Sequence, residues 1–550
     1  MTADNPPTAF DLASRQRDIS VAEFFLKNRH LLGFDSGAKA LLTTVKEAVD
    51  NALDACEEAG ILPEIRIEVK PVPDSDDVFV VIVEDNGPGI VESQLSRIFG
   101  KLLYGSKFHK LAQSRGQQGM GIAAAGMYAQ LTTGKPLHVL SRVAGQPRAT
   151  ELYVSIDTAK NRPEMHKKQQ VKWNRPHGTQ VEAQLQGHYQ KGPHSIDMYI
   201  NQTAIANPHV TLRFDNPHGE KLRFIRSVSE LPPQPVTIKP HPRGIELGML
   251  IQMLNHTHCR TLLPFLEREF SRVGRKTARA IIAQAGNPLS ARSYPRHIAR
   301  AQAQALYRAM QAVPISAPRT DCLAPIGETQ LEAGLRKELK AEFYTVVTRP
   351  AAVYRGNPFQ VEVAIAYGRP GGVGLEVAAD GHIHKTARQR HGAKDDATEA
   401  SARLLRFANR VPLLYEPGAC AITKAVMQTN WRAYGLRQSK GALPIAPMVV
   451  MVHIASVWVP FTSEAKEAVA GYPEILKELK LGLQACGRRL ASHLRNTRHL
   501  QQEYDKRTYI EKHLPQIGSA LQDILLLSDS DKDKAIVNLD ETLHRRRKIR

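Results

Sequence analysis

The sequence predicts an α+β protein of several domains: an α/β sandwich first, a helical segment in the middle, and a second α+β unit after it. Three observations point there. At 550 residues, the chain has room for two to four domains at roughly 100–200 residues each. Its hydrophobic content of 42% is that of packed cores. Helix-period and strand-period apolar patterns alternate through the first third, and proline-rich stretches at Leu231–Pro242 and Ala312–Pro325 interrupt them as boundaries.

The elements follow in chain order. Residues 1–20 are polar, contain prolines and read as an arm without a core of its own. Phe24–Phe34 is amphipathic. A helix spans Ser36–Ala59, because Leu41, Leu42, Val45, Ala48, Val49, Ala52, Ala55 and Cys56 recur at helical spacing. Asp35 or Ser36 caps its start and Gly60 ends it. Ile65–Val69 alternates as a strand, Pro71–Asp77 is a turn, and Val78–Val83 is a β-branched run that predicts a buried strand. Ser114–Gly126 is glycine-rich and leads into a helix. Strands near Leu137–Arg142, Glu151–Ile156 and Thr179–Leu185 complete the sandwich. Gly244–Gln311 is helical in pattern, with Arg268, Arg272, Arg275, Lys276 and Arg279 making its central helix basic. Strands are expected near Phe359–Tyr367 and Gly374–Ala378, and helices near Ala397–Phe407 and Ala465–Arg495. The most apolar stretch, Gly441–Phe461, is broken by Pro444, Pro447, His453 and Pro460, so its Val-rich centre predicts a buried strand rather than a membrane helix. A charged tail follows Arg495.

Lys plus Arg exceed Asp plus Glu by 74 − 54 = +20. Such a surface attracts polyanions, nucleic acid first among them, although a merely basic soluble protein accounts for the charge equally well. Cys56, Cys259, Cys322, Cys420 and Cys486 are scattered and form no CxxC pair. That argues against a disulfide framework and a zinc site, and fits a reducing cytoplasm. Asp4, Asp11, Asp18 and Glu23 near the start exclude a signal peptide.

Four groups of residues carry chemistry. Glu47, Asp50, Asn51 and Asp54 lie on the first long helix. Glu47, Asn51 and Asp54 share a face at i, i+4 and i+7, beside the apolar stripe. Polar groups so close to a core need a partner; a hard cation with phosphate oxygens supplies one, and a carboxylate there deprotonates a water. Taken alone, a solvated helix edge explains the set better. Asp85-x-Gly87-x-Gly89 ends a strand, where an acid can accept from an exocyclic amine and glycines let backbone approach a flat ring; an ordinary turn is the alternative. Arg115-Gly116-Gln117-Gln118-Gly119-Met120-Gly121 precedes a helix, whose N-terminus and amide N–H groups suit a phosphate chain. It is neither a Walker loop nor a Rossmann loop. Gly178-Thr179 opens a strand.

The order and spacing of these groups resemble the ATPase domain shared by gyrase, MutL, the ninety-kilodalton heat-shock chaperones and histidine kinases. That resemblance implies a Bergerat-type α/β sandwich using ATP and Mg²⁺. Glu47 would be the general base and Asn51 the Mg²⁺ ligand. Asp85 would contact adenine, with Thr179 alongside, and the Asp85-x-Gly87-x-Gly89 turn would flank it. Gly116, Gln117, Gln118, Gly119, Met120 and Gly121 would hold the phosphates.

Longer blocks are similar to one family within that group, the B subunits of topoisomerase VI: Phe24–Asn28, Leu41–Gly60, Ile61–Ile65, Tyr104–Phe108, Arg406–Tyr415 and Val459–Ala468. They run from about residue 20 to about residue 490. This resemblance places Ser106 and Lys107 on the nucleotide site. It makes Lys466 a switch lysine reaching from a transducer domain to the γ-phosphate, with Lys440 the alternative. It implies an arm (1–20), an ATPase domain (21–235), a helix-two-turns-helix insert (236–316), a ribosomal-protein-like α+β transducer with four strands (317–500) and a tail (501–550). The partners implied are double-stranded DNA, a second copy of the same chain on ATP binding with the arm exchanged, and a cleaving A subunit in a heterotetramer of two A and two B. No membrane partner is implied, and the location is cytoplasmic, on the nucleoid. No cleavage tyrosine is assigned to this chain. A clamp of the MutL or chaperone kind, or a scaffold without hydrolysis, is the rival; the last two blocks oppose the first and Glu47 the second.

Two departures stand out. Where the family often has Trp-Lys-x-Tyr, Trp431-Arg432-Ala433-Tyr434 keeps charge but not geometry. Only a short basic tail, including Arg545 to Arg550, follows the transducer here, so the activity of an extension domain is expected to be absent.

Overall fold

Eight strands form the first sheet: β1 (Glu64–Pro71), β2 (Val78–Glu84), β3 (Leu137–Arg142), β4 (Ala149–Asp157), β5 (Arg162–Val171), β6 (Gly178–Gln186), β7 (Thr211–Asp215) and β8 (Lys221–Phe224). In this computed structural model their order is β5-β4-β3-β6-β2-β1-β7-β8, antiparallel except for the parallel β1–β7 pair. The structure describes all residues except 1–8, 15, 109, 117–118, 369–373, 378–382, 387–400, 464 and 547–550.

The Gly37–Glu58, Gly121–Thr133 and Ile196–Ala206 helices cover one face of this sheet and share its apolar core. The first of them starts where Ser36 accepts a hydrogen bond from the Lys39 N–H. Leu41, Val45, Val49 and Leu53 turn one stripe inward, and Gly60 leaves the helix at φ +71°. The β2 run is not buried on both faces as its composition suggests. Phe79, Val81 and Val83 are buried while Val78, Val80 and Ile82 are only partly so. The sheet is antiparallel there and helices pack on one side only.

The middle segment holds four helices, Leu247–His256, Leu262–Glu269, Arg275–Ala285 and Arg300–Ala312, around a separate apolar core. Its basic residues do not share one helix. Arg268 ends the second helix, Arg272 lies in the following turn at φ +60°, and Arg275, Lys276 and Arg279 belong to the third. All five are exposed. Spacing alone hid the break, because Gly274 is a small interruption in a helical pattern.

The second sheet has four long strands. Phe343–Thr348 pairs with Asn357–Tyr367, then come Met448–Ser456 and Arg403–Ala408, the last two parallel; Ala352–Tyr354 and Val411–Pro412 are short edge pieces. The Val-rich stretch is its buried centre strand. Where the sequence suggested a helix over Ala397–Phe407, residues 403–408 form a strand, and 397–400 lie outside the described residues. Leu405 and Phe407 need a sheet position to bury their side chains. The Pro473–Leu525 helix starts eight residues later than the pattern at Ala465 implied, because Lys466 is left-handed (φ +55°) and Pro473 sits at the first helical position. Among the described residues no helix is long and apolar enough to cross a membrane.

Candidate functional site

Three strand ends bring the polar residues of one site into line. Asp85 follows β2, and its N–H donates to the Thr179 carbonyl on β6. The Asp85 carboxylate accepts from the N–H groups of Gly87 (2.7 Å) and Thr179 (3.2 Å). The Thr179 hydroxyl meets Ser141 on β3 at 3.1 Å, and Ser141 receives the Ile90 N–H at 2.8 Å. Two glycines are dictated by this crowding. A side chain at Gly89 would strike the Arg142 carbonyl at 2.1 Å, and one at Gly178 would strike the Asp85 carbonyl at 2.2 Å; both glycines have positive φ. Burial pushes the Asp85 carboxyl up to about 6, against its two backbone donors.

Beside this row lies a cavity of about 590 Å³. Glu47, Asn51, Asp85, Gly89, Ser106, Lys107, Gly116, Gly119, Met120, Gly121, Thr179 and Lys466 all line it. Of the remaining residues singled out in the sequence, Gly87 is not on the wall and instead turns its N–H onto Asp85. Gln117 and Gln118 lie outside the described residues. Lys440 is exposed and away from the wall. Asp50 faces the other way: it is buried, takes the Tyr199 hydroxyl at 3.0 Å, and burial raises its carboxyl to about 7.

The glycine loop closes over the helix face. A Cβ at Gly121 would sit 1.6 Å from the Glu47 carboxylate, and one at Gly116 would sit 3.7 Å from the Asn51 side-chain oxygen. Glycine at 121 is therefore what lets the acid stand against the loop, whereas a Cβ at 116 would make only an ordinary contact with the amide. Among the described residues, no protein group hydrogen-bonds the Glu47 carboxylate or the Asn51 amide. The Gly121–Thr133 helix begins at the same place, so its free N–H groups and positive end face the cavity. An acid, an oxygen donor, a helix N-terminus and a strand-end carboxylate around one cavity suit a nucleotide with a hard cation.

Sequence reasoning placed Lys107 on the nucleotide site and Asp54 beside Glu47 and Asn51, but missed the ion cluster through which Arg115 and Glu57 anchor the loop. The Arg115 guanidinium is buried and donates to Asp54 (2.8 Å), to both Glu57 oxygens (2.7 Å each) and to Asn207 (2.6 Å). Burial would raise the Glu57 carboxyl, but Arg115 and His209 hold it well below the ordinary range. Lys107 pairs with Asp54 at 2.6 Å and Glu58 at 3.0 Å; burial opposes its charge, and the acids outweigh that. The helical i, i+3 spacing of Asp54 and Glu57 is the one signal that two acids share a side; their partner lies 58–61 residues away. From the segment between the Met448–Ser456 strand and the Pro473–Leu525 helix, Lys466 reaches the Arg115 carbonyl at 3.4 Å. Its loop is held by Glu467, which pairs with Lys39 at the start of the Gly37–Glu58 helix.

A family model described as histidine kinase-, DNA gyrase B- and HSP90-like ATPase matches residues 37–185, and one described as topoisomerase VI B subunit, transducer, matches 318–506. The B subunit of type 2 DNA topoisomerase 6 from Archaeoglobus fulgidus is 43% identical over 534 residues, covering 97% of this chain and 84% of the relative. That of Methanococcoides burtonii is 46% identical over 520 residues, covering 94% and 79%. That of Natronomonas pharaonis is 35% identical and covers 94% and 84%.

Proposed function

The chain belongs to the family of type 2 DNA topoisomerase 6 B subunits, and from that membership we propose how its residues turn ATP hydrolysis into DNA strand passage. It is the ATP-dependent subunit of a type 2 DNA topoisomerase with a Bergerat-type ATPase fold. The observation that carries the mechanism is the convergence of Glu47, Asn51 and Asp85 on one cavity. Asp85, ionised, accepts from the adenine amine, and Thr179 flanks it. Gly116, Gly119, Met120 and Gly121 present backbone to the phosphates, with Ser106 and Lys107 at the rim. Glu47 takes the proton of the attacking water. Asn51 would hold Mg²⁺, which when bound neutralises phosphate charge. Lys466 is drawn toward the γ-phosphate and loses that attraction after hydrolysis.

The division of labour proposed along the chain is an arm (1–20), an ATPase domain (21–235), a helix-two-turns-helix insert (236–316), a transducer (317–500) and a tail (501–550). Separate apolar cores in the first sheet, the helical middle and the second sheet support it. ATP binding joins two copies, with arms exchanged, around a duplex. An A subunit supplies cleavage in an assembly of two A and two B, in the cytoplasm. The net charge of +20 suits the duplex partner.

Combining the chain with its cleaving partner tests this directly. The pair is expected to relax supercoiled DNA only with ATP, while the chain alone hydrolyses ATP and leaves DNA unchanged. Relaxation without ATP, or none with it, contradicts the reading.

A further inference from the structure

The loop over the nucleotide cavity is tied to the second sheet by a two-residue turn. Arg403–Ala408 and Val411–Pro412 form a hairpin whose last pair is Ala408 with Val411, so Asn409 and Arg410 are its whole loop. Both have positive φ, +48° and +68°. Such turns ordinarily use Asn-Gly, because the second position is strained for any side chain. Here that position carries arginine, and both residues are buried. Strain kept at a buried site where glycine would remove it points to a job for the side chain.

The contacts show what the turn joins. The Asn409 amide donates to the Ser114 carbonyl in the loop (3.0 Å) and to the Ser456 carbonyl in the second sheet (2.9 Å). Asn207, which holds the Arg115 guanidinium, also donates to the Arg410 carbonyl at 3.3 Å. The Arg410 N–H meets the His453 ring at 2.9 Å, and His453 meets buried Glu362 at 2.7 Å, both on central strands of the second sheet. The Arg410 guanidinium donates to the Ala324 and Pro325 carbonyls at 3.2 and 3.0 Å. Gln113, just before the loop, clasps Ala324 through two further bonds of 3.1 and 2.7 Å. No residue of the turn lines the nucleotide cavity.

We propose that Asn409 and Arg410 are positioning residues that transmit the state of the nucleotide loop, at Ser114 and Arg115, to the second sheet, coupling ATP turnover to movement of that sheet. The turn acts on work done per ATP and not on ATP binding. This rests on the proposed function.

The test uses the chain assembled with its cleaving partner and measures supercoils removed per ATP hydrolysed, with the ATP KM. Arg410→Gly keeps the left-handed turn, relieves its strain and removes only the side chain. Asn409→Ala removes the amide that bridges the loop to the sheet. For both, the KM is expected to stay at the wild-type value and supercoils removed per ATP to fall about tenfold or more. Unfolded protein contributes to neither rate, so the ratio is blind to losses in folding. An unchanged ratio, whether both rates hold or fall together, overturns the proposal. Absence of ATP-dependent relaxation in the wild type would instead overturn the function on which it rests.

Discussion

Asp85 is the residue whose chemistry is most exposed to test. Its carboxyl, raised to about 6 by burial, accepts from an amine much more strongly when ionised. Between its unfolded value near 3.8 and about 6, the folded protein binds the extra proton, so stability falls as pH rises through that window and is level above it. Nucleotide binding runs the opposite way, because ligand favours the ionised form. Affinity for ATP is expected to fall roughly tenfold per pH unit below about 6. Equilibrium titrations across that range check it, with Asp85→Asn weaker throughout and lacking that dependence. A wild-type profile parallel to the variant's would remove Asp85 from recognition. The strand-end acid and its glycines were legible in the sequence because a turn after a β-branched run is a local pattern. That the Gly87 N–H is held by the Asp85 carboxylate was not legible, since it depends on a 2.7 Å contact within the turn.

At the scale of elements, the glycine loop depends on a buried ion cluster contributed by the Gly37–Glu58 helix. Arg115 balances Asp54 and Glu57. Arg115→Met removes the bidentate cation from Glu57 and leaves buried Asp54 with Lys107 alone, and is expected to cost about 3–5 kcal/mol of stability. Denaturant unfolding followed at the first domain checks this; a loss near zero would show that the acids find water instead. The helix itself was readable from its 3.6-residue apolar stripe and its Ser36 cap, because both are local. The cluster was not, since the partners are far apart in sequence. Strand Arg403–Ala408 was misread as helix for a related reason. Its burial is set by neighbours Met448–Ser456 and Val411–Pro412, and a short apolar run carries no period that tells strand from helix. Two helices were also fused in the basic middle segment, where a single glycine interrupts the pattern.

For the whole molecule, the two sheets meet at the nucleotide cavity. Lys466, in the segment after the second sheet's centre strand, and the Asn409–Arg410 turn of that sheet both contact the loop that begins at Ser114. Hydrolysis in the first sheet therefore has two physical routes to the second. The central claim is that this cavity is an ATPase centre with Glu47 as its base. Its most direct test is Glu47→Ala, with ATP binding at equilibrium and steady-state turnover measured on the same preparation. Binding is expected to persist at the wild-type affinity while turnover falls about 10²–10⁴-fold. Undiminished hydrolysis by Glu47→Ala would contradict the account.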